Sequence, residues 1–129
     1  MDPYYEKARN GYLSGYWEPD LFRSHWDFAT PEEAWQTIET NFSRMNNGTL
    51  LHGDYCLPNI LLDNWRFSGF IDLGNGGMGD RHMDILWGIW TLQFNLKTGR
   101  YRDRFMDAYG RDKIDPELLR TAAALEIFT

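Results

Sequence analysis

Apolar positions along the chain change period from block to block, and each change marks an element. Residues 1–29 are aromatic and interrupted by Gly11, Gly15 and Pro19, the pattern of a short helix followed by an irregular loop. Thr30-Pro31-Glu32-Glu33 is a helix start, with Thr30 as N-cap, proline at the first helical position and Glu33 closing a capping box. That helix is expected to run to about Met45 and to end at Asn46-Asn47-Gly48. Thr49 to Leu51 reads as a short strand. Residues 59–62 and 66–71 flank the turn Asp63-Asn64-Trp65, which predicts a β-hairpin. From Asp80 to about Leu96 the apolar residues, among them Met83, Ile85, Leu86, Ile89 and Trp90, cover nearly the whole helical circumference, so that helix is expected to be central and buried. Residues 100–109 predict an amphipathic helix closed by Gly110, and Asp115-Pro116-Glu117 opens a last helix.

The chemistry sits between the short strand and the hairpin. His52-Gly53-Asp54 is followed five residues after Asp54 by Asn59, and thirteen residues after that by Asp72. Phosphoryl transfer from ATP asks a protein for a carboxylate that orients the attacking hydroxyl and for oxygen ligands to Mg²⁺. Protein kinases present these groups in the same order, as H-R-D-x-x-x-x-N and then D-F-G. Here Gly53 replaces the arginine and Leu73 the phenylalanine. Asp54 is therefore the candidate catalytic base, and Asn59 and Asp72 are the candidate Mg²⁺ ligands. The plainer reading of a loop aspartate such as Asp54 is an Asx-turn or a helix cap. A hairpin brings its ends within roughly 5 Å, which would let Asn59 and Asp72 share one ion.

The run Phe67 to Gly74, then Gly77, then Asp80-Arg81-His82-Met83-Asp84-Ile85, together with Cys56-Leu57-Pro58-Asn59-Ile60, resembles the aminoglycoside phosphotransferases of the kanamycin-kinase type. The resemblance extends from about Leu50 to Phe128. It implies an α+β, mainly α fold: a protein-kinase-like C-terminal lobe with a small catalytic β-hairpin. It implies ATP and Mg²⁺ as co-substrate and cofactor, and a cationic aminosugar as substrate. It gives His52 the role of bracing the loop backbone, and makes Asp80, Arg81 and Asp84 a polar knot under the metal loop. Asp84 followed by Trp87-Gly88 is similar to the Asp-x-Trp-x-x-Gly element of protein kinases, where the aspartate braces the catalytic loop. Glu18 and Asp20, before the capped helix, and Glu126 and Phe128, in the tail, correspond to substrate-binding positions. Residues 1–29 would partly line that site. Leu125 stands where many members have an aspartate, and Asn75 where some have an arginine.

No G-x-G-x-x-G follows a strand, and none of Lys7, Lys97 and Lys113 lies on a Val-Ala-Ile-Lys-like strand. The sequence thus reads as one domain, residues 1–129, with the N-terminal nucleotide lobe absent. The expectation is the catalytic lobe of a truncated or split enzyme, inactive by itself. The alternatives are a lobe without catalysis that binds cationic sugars or a partner chain, and a kinase for another small alcohol such as a macrolide, choline or a metabolite. The net charge of −6 argues against a nucleic-acid surface and suits a polycationic ligand, or simply solubility. One cysteine, Cys56, excludes an internal disulfide and reads as a packed thiol. His25 and His82 lack metal-ligand spacing. No apolar run approaches the roughly 18 residues of a membrane span, and the acidic, aromatic start is unlike a signal peptide, so a cytoplasmic protein is expected. The rings of Tyr4, Tyr5, Tyr12, Tyr16 and Trp17, with Leu13, either stay exposed and drive a homodimer or fold back onto Trp35.

Overall fold

The computed structural model describes residues 3–22, 26–45, 49–51, 60–63, 66–70, 77–96 and 100–129. Among these, five α-helices and four short strands form: α1 (Pro3–Ser14), α2 (Pro31–Asn41), β1 (Thr49–Leu51), β2 (Ile60–Asp63), β3 (Arg66–Phe70), β4 (Gly77–Gly79), α3 (Arg81–Leu96), α4 (Arg102–Tyr109) and α5 (Pro116–Ile127). They group into two compact units, residues 1–45 with 116–129, and residues 46–115. No described helix is long and apolar enough to cross a membrane.

In the first unit, α2 starts as its sequence dictates. Thr30 is extended, and its Oγ1 accepts the Glu33 N–H at 3.1 Å. The Glu33 carboxylate accepts the Ala29 N–H at 3.0 Å, so the box closes one residue before the cap. The helix ends at Asn41 and tightens into a single 3₁₀ turn, Phe42–Arg44, which brings the path close to the expected end at Met45. α5 packs on α2 and α1 through Leu118, Leu119, Leu125 and Ile127 and through Ala122, Ala123 and Ala124, all buried. Ala8 and Ala34 are 0% exposed, and such small side chains let helix backbones approach closely.

The aromatic rings of α1 fold back. Tyr12 stacks on Trp35 at 5.0 Å between centroids, and Tyr5 packs on Trp35 and Phe42 at 5.6 and 5.0 Å. Phe128 meets Tyr12 and Trp35 edge-on. Only Leu13 and Tyr16 stand out as exposed large apolar residues among the described ones.

In the second unit, β1 pairs antiparallel with β4, Thr49 opposite Gly79 and Leu51 opposite Gly77. β2 pairs antiparallel with β3, from Ile60 opposite Phe70 to Asp63 opposite Arg66, with an irregularity between Leu61 and Leu62. α3 packs against β1 and α4 and buries Met83, Ile85, Leu86 and Ile89. Gly88 lets the Phe105 ring of α4 come close: a Cβ there would lie 2.5 Å from the tip of that ring, which would have to shift.

Gly11 packs directly against the chain end: a Cβ on it would lie 2.0 Å from the Phe128 carbonyl oxygen. Alanine improves intrinsic helix propensity by about 1 kcal/mol. Here it must push the chain end away, an overpacking cost of about 1–3 kcal/mol or more. Gly11→Ala is expected to lower Tm by several degrees in a circular-dichroism melt, and an unchanged or higher Tm would contradict this packing.

Candidate functional site

Two antiparallel rungs frame the predicted chemistry. Leu51, opposite Gly77, precedes His52 in sequence, and Ile60, opposite Phe70, follows Asn59. Phe70 and Gly77 in turn flank the segment that carries Asp72. His52, Asp54, Asn59 and Asp72 themselves lie outside the described residues, as do Cys56 and Asn75.

Directly after β4 the structure builds a buried polar group. Asp80 is 6% exposed, and its Oδ1 accepts the His82 backbone N–H at 2.8 Å and contacts His82 Nδ1 at 2.6 Å. The backbone N–H of Asp115 donates to His82 Nε2 at 3.0 Å. A backbone N–H can only donate, so Nε2 accepts and the ring proton sits on Nδ1, facing the Asp80 carboxylate. Arg81 and Asp84 are half-buried beside it. Tyr109 on α4 feels the same charges: burial, more than any other cause, raises its phenol above the usual value, Asp84 and Asp80 add to this, and Arg81 opposes it. Neither His82 nor Tyr109 was evident in the sequence. His82 could have been found as the residue two after an Asp at a helix start. Tyr109 carries no local signal, because its neighbours come from another helix. Among the described residues no group of three or more His, Cys, Asp or Glu side chains could hold a metal ion.

In the first unit the structure brings the loop acid to the tail. The Glu18 N–H donates to the Ile127 carbonyl at 2.8 Å, which ties the loop after α1 to the end of α5 beside Glu126. The Tyr16 hydroxyl donates to the exposed Glu18 carboxylate. The Thr129 hydroxyl donates to the Glu126 carbonyl at 3.0 Å and contacts its carboxylate at 3.4 Å. Asp20 is exposed in the same loop. Phe128, expected at a substrate surface, has its ring 1% exposed among Tyr12 and Trp35, so the ring serves packing.

A family model described as the phosphotransferase enzyme family matches residues 2–123. The chain belongs to this family. It is 56% identical over 107 residues to a probable aminoglycoside 3'-phosphotransferase of Lactococcus lactis, covering 83% of this chain and 41% of that protein. It is 30% identical to a streptomycin 3''-kinase of Streptomyces griseus, over 100% of this chain and 51% of that one. Among solved structures, an aminoglycoside phosphotransferase of Streptomyces rimosus in complex with ADP and streptomycin superposes with a TM-score of 0.68 at 24% identity, over 100% of this chain and 52% of that one. The phosphotransferase chain thus spans about half the length of the relatives it matches, and its fold is that of a kinase-like carboxyl-terminal lobe.

The raised Tyr109 phenol has a stability consequence in alkali. A folded-state pKa above the unfolded value gives a contribution that is fully present below about pH 10 and is lost as pH rises through the folded value. Tyr109→Phe is expected to flatten the fall of the unfolding midpoint above about pH 10. A residual slope should remain from Tyr5 and Tyr16, whose phenols are raised by their hydrogen bonds to Glu39 and Glu18. Identical alkaline slopes in denaturant titrations of the two proteins would exclude Tyr109 as a contributor.

Proposed function

We propose that this phosphotransferase chain supplies the catalytic and substrate-binding lobe of an aminoglycoside O-phosphotransferase, with ATP as phosphoryl donor, acting in the cytoplasm. The observation that carries the reading is the order Asp54, Asn59, Asp72 set between the rungs Leu51–Gly77 and Ile60–Phe70. The relatives support it: the Lactococcus lactis protein is named for the same chemistry, and the Streptomyces rimosus enzyme is solved with ADP and streptomycin.

Asp54 orients a drug hydroxyl and accepts its proton while that oxygen bonds to the γ-phosphorus and the bond to the ADP oxygen breaks. Asn59 and Asp72 offer hard oxygen donors, the set that suits Mg²⁺. When bound, that ion neutralises charge on the phosphates. His52 braces the loop, and Asp80, Arg81 and Asp84 support it from α3. Glu18, Asp20 and Glu126 take the ammonium groups of the drug, in keeping with the net charge of −6. Covering the triphosphate falls to a separate nucleotide-binding lobe, since no glycine-rich loop or strand lysine was found in this sequence.

The test pairs the chain with the amino-terminal lobe of a relative and follows ADP release with kanamycin and Mg²⁺. Turnover is expected from the pair and little from the chain alone. Asp54→Ala in the pair should cut kcat by about 10²–10⁴. Glu18→Ala should raise KM for the drug about tenfold at nearly unchanged kcat, the signature of lost ground-state binding. Strong phosphorylation by the chain alone would show that the nucleotide binds elsewhere, and turnover only with an uncharged alcohol would replace the substrate class.

A further inference from the structure

His82 is the buried titratable group that the proposed chemistry leaves unused. Its ring joins two places far apart in the chain. On one side Nδ1 meets Asp80, the residue that follows β4 and caps α3 through the His82 N–H. On the other, Nε2 accepts from Asp115, 33 residues away at the end of the same unit. His82 is 4% exposed, so water offers no easy substitute for either partner.

We propose that His82, as the neutral Nδ1–H tautomer, is a positioning residue for the segment that carries Asp54, the proposed catalytic base. The route is short and made of backbone. Asp80 directly follows Gly79, the last residue of β4. β4 is hydrogen-bonded to β1 from Thr49 to Leu51, and Leu51 leads into His52-Gly53-Asp54. Two of the three residues of β4 are glycines, which have no side chain to hold the strand in place. The Asp80–His82 contact pins its outgoing end to α3, and the Asp115 bond pins the ring. Two donor–acceptor pairs fix the tautomer and orientation of the imidazole, as a second partner does for a ligating or catalytic histidine. The proposal rests on the functional reading above only for the role of Asp54; the clamp itself stands on geometry.

Nitrogen-15 NMR of the full chain tests both parts without any turnover. The His82 ring should show a protonated Nδ1 and an unprotonated Nε2, and the Asp115 amide should be protected from hydrogen exchange. His82→Phe keeps a ring but removes both bonds. It should raise Asp115 exchange at least tenfold and shift the amide signals of residues 49–59, while amides in the middle of α3 stay protected. His82→Asn can still donate to Asp80 but cannot reach Asp115. It should restore the signals of residues 49–59 and leave Asp115 unprotected. The opposite tautomer, or signals of residues 49–59 unmoved by His82→Phe, overturns the proposal, as does a His82→Asn spectrum equal to that of His82→Phe across those residues. None of these outcomes depends on drug phosphorylation, so failure of the Asp54→Ala experiment would count against the functional reading alone.

Discussion

The antiparallel pairing of β1 with β4 is the constraint on which the unit with the proposed catalytic residues depends. It holds only three residues per strand, and two of the three β4 residues are glycines. A ladder this short is marginal alone. It persists because β1 is covered by the apolar α3 and because β4 runs straight into the capped start of that helix. The β2–β3 pair has its own closure at Asp63 opposite Arg66. Together the two pairs set where both functional segments leave and re-enter regular structure. Long-range backbone pairing of this kind lets residues distant in sequence serve one reaction.

Elements with a chemical start signal were legible. Thr30-Pro31 and Asp115-Pro116 name their helices through backbone chemistry, and the turn residues Asp63-Asn64-Trp65 name a strand pair; α2, α5 and β2–β3 lie close to where those signals put them, with Asp63 the last residue of β2. The buried α3 followed from its all-round apolar surface. β4 was not legible, because Gly77-Met78-Gly79 has neither β propensity nor alternation, and its glycines read as loop material. Its strand character comes from β1, a partner far away in sequence. The role of His82 was hidden for the same reason: one of its two partners is Asp115. The aromatic start of the chain allowed two outcomes: Tyr12 and Tyr5 fold back onto Trp35, whereas Leu13 and Tyr16 stay exposed. Of the candidate site, the order of the acidic and amide residues was legible. The burial of the Phe128 ring was not, since a terminal aromatic residue gives no hint of its neighbours.

Acidic residues in the first unit have different fates although their sequence contexts look alike. Glu33 is committed: one oxygen accepts from the Ala29 N–H, and the other faces Arg120 at 3.1 Å, with the guanidinium of Arg120 also lying 4.3 Å over the Phe28 ring. Glu18 is exposed, takes one phenol donor and is fixed through its backbone to the Ile127 carbonyl. A carboxylate oriented by a hydroxyl keeps its full charge, whereas one paired with a guanidinium is largely neutralised. Of these two carboxylates, Glu18 is therefore the one whose charge stays available to a cationic ligand.

Two side-chain ties between distant parts of the sequence, Arg120–Glu33 in the first unit and His82–Asp115 in the second, differ in weight. Arg120–Glu33 spans 87 residues, but both side chains keep contact with water. Exposed pairs of this kind contribute at most about 1 kcal/mol. The His82 tie is buried at Asp80 and part-buried at Asp115, and removing an acceptor from a fully buried N–H costs about 1–3 kcal/mol. The first unit can spare its tie, because interlocked rings and a run of alanines already specify how α1, α2 and α5 meet. The second cannot do so equally well. Its strands are short, β4 is mostly glycine, and the segments proposed to carry the chemistry lie between them. Where apolar packing is thin, a satisfied buried hydrogen-bond group specifies one arrangement. The unit that carries the proposed catalysis is thus the one that relies most on directional polar contacts.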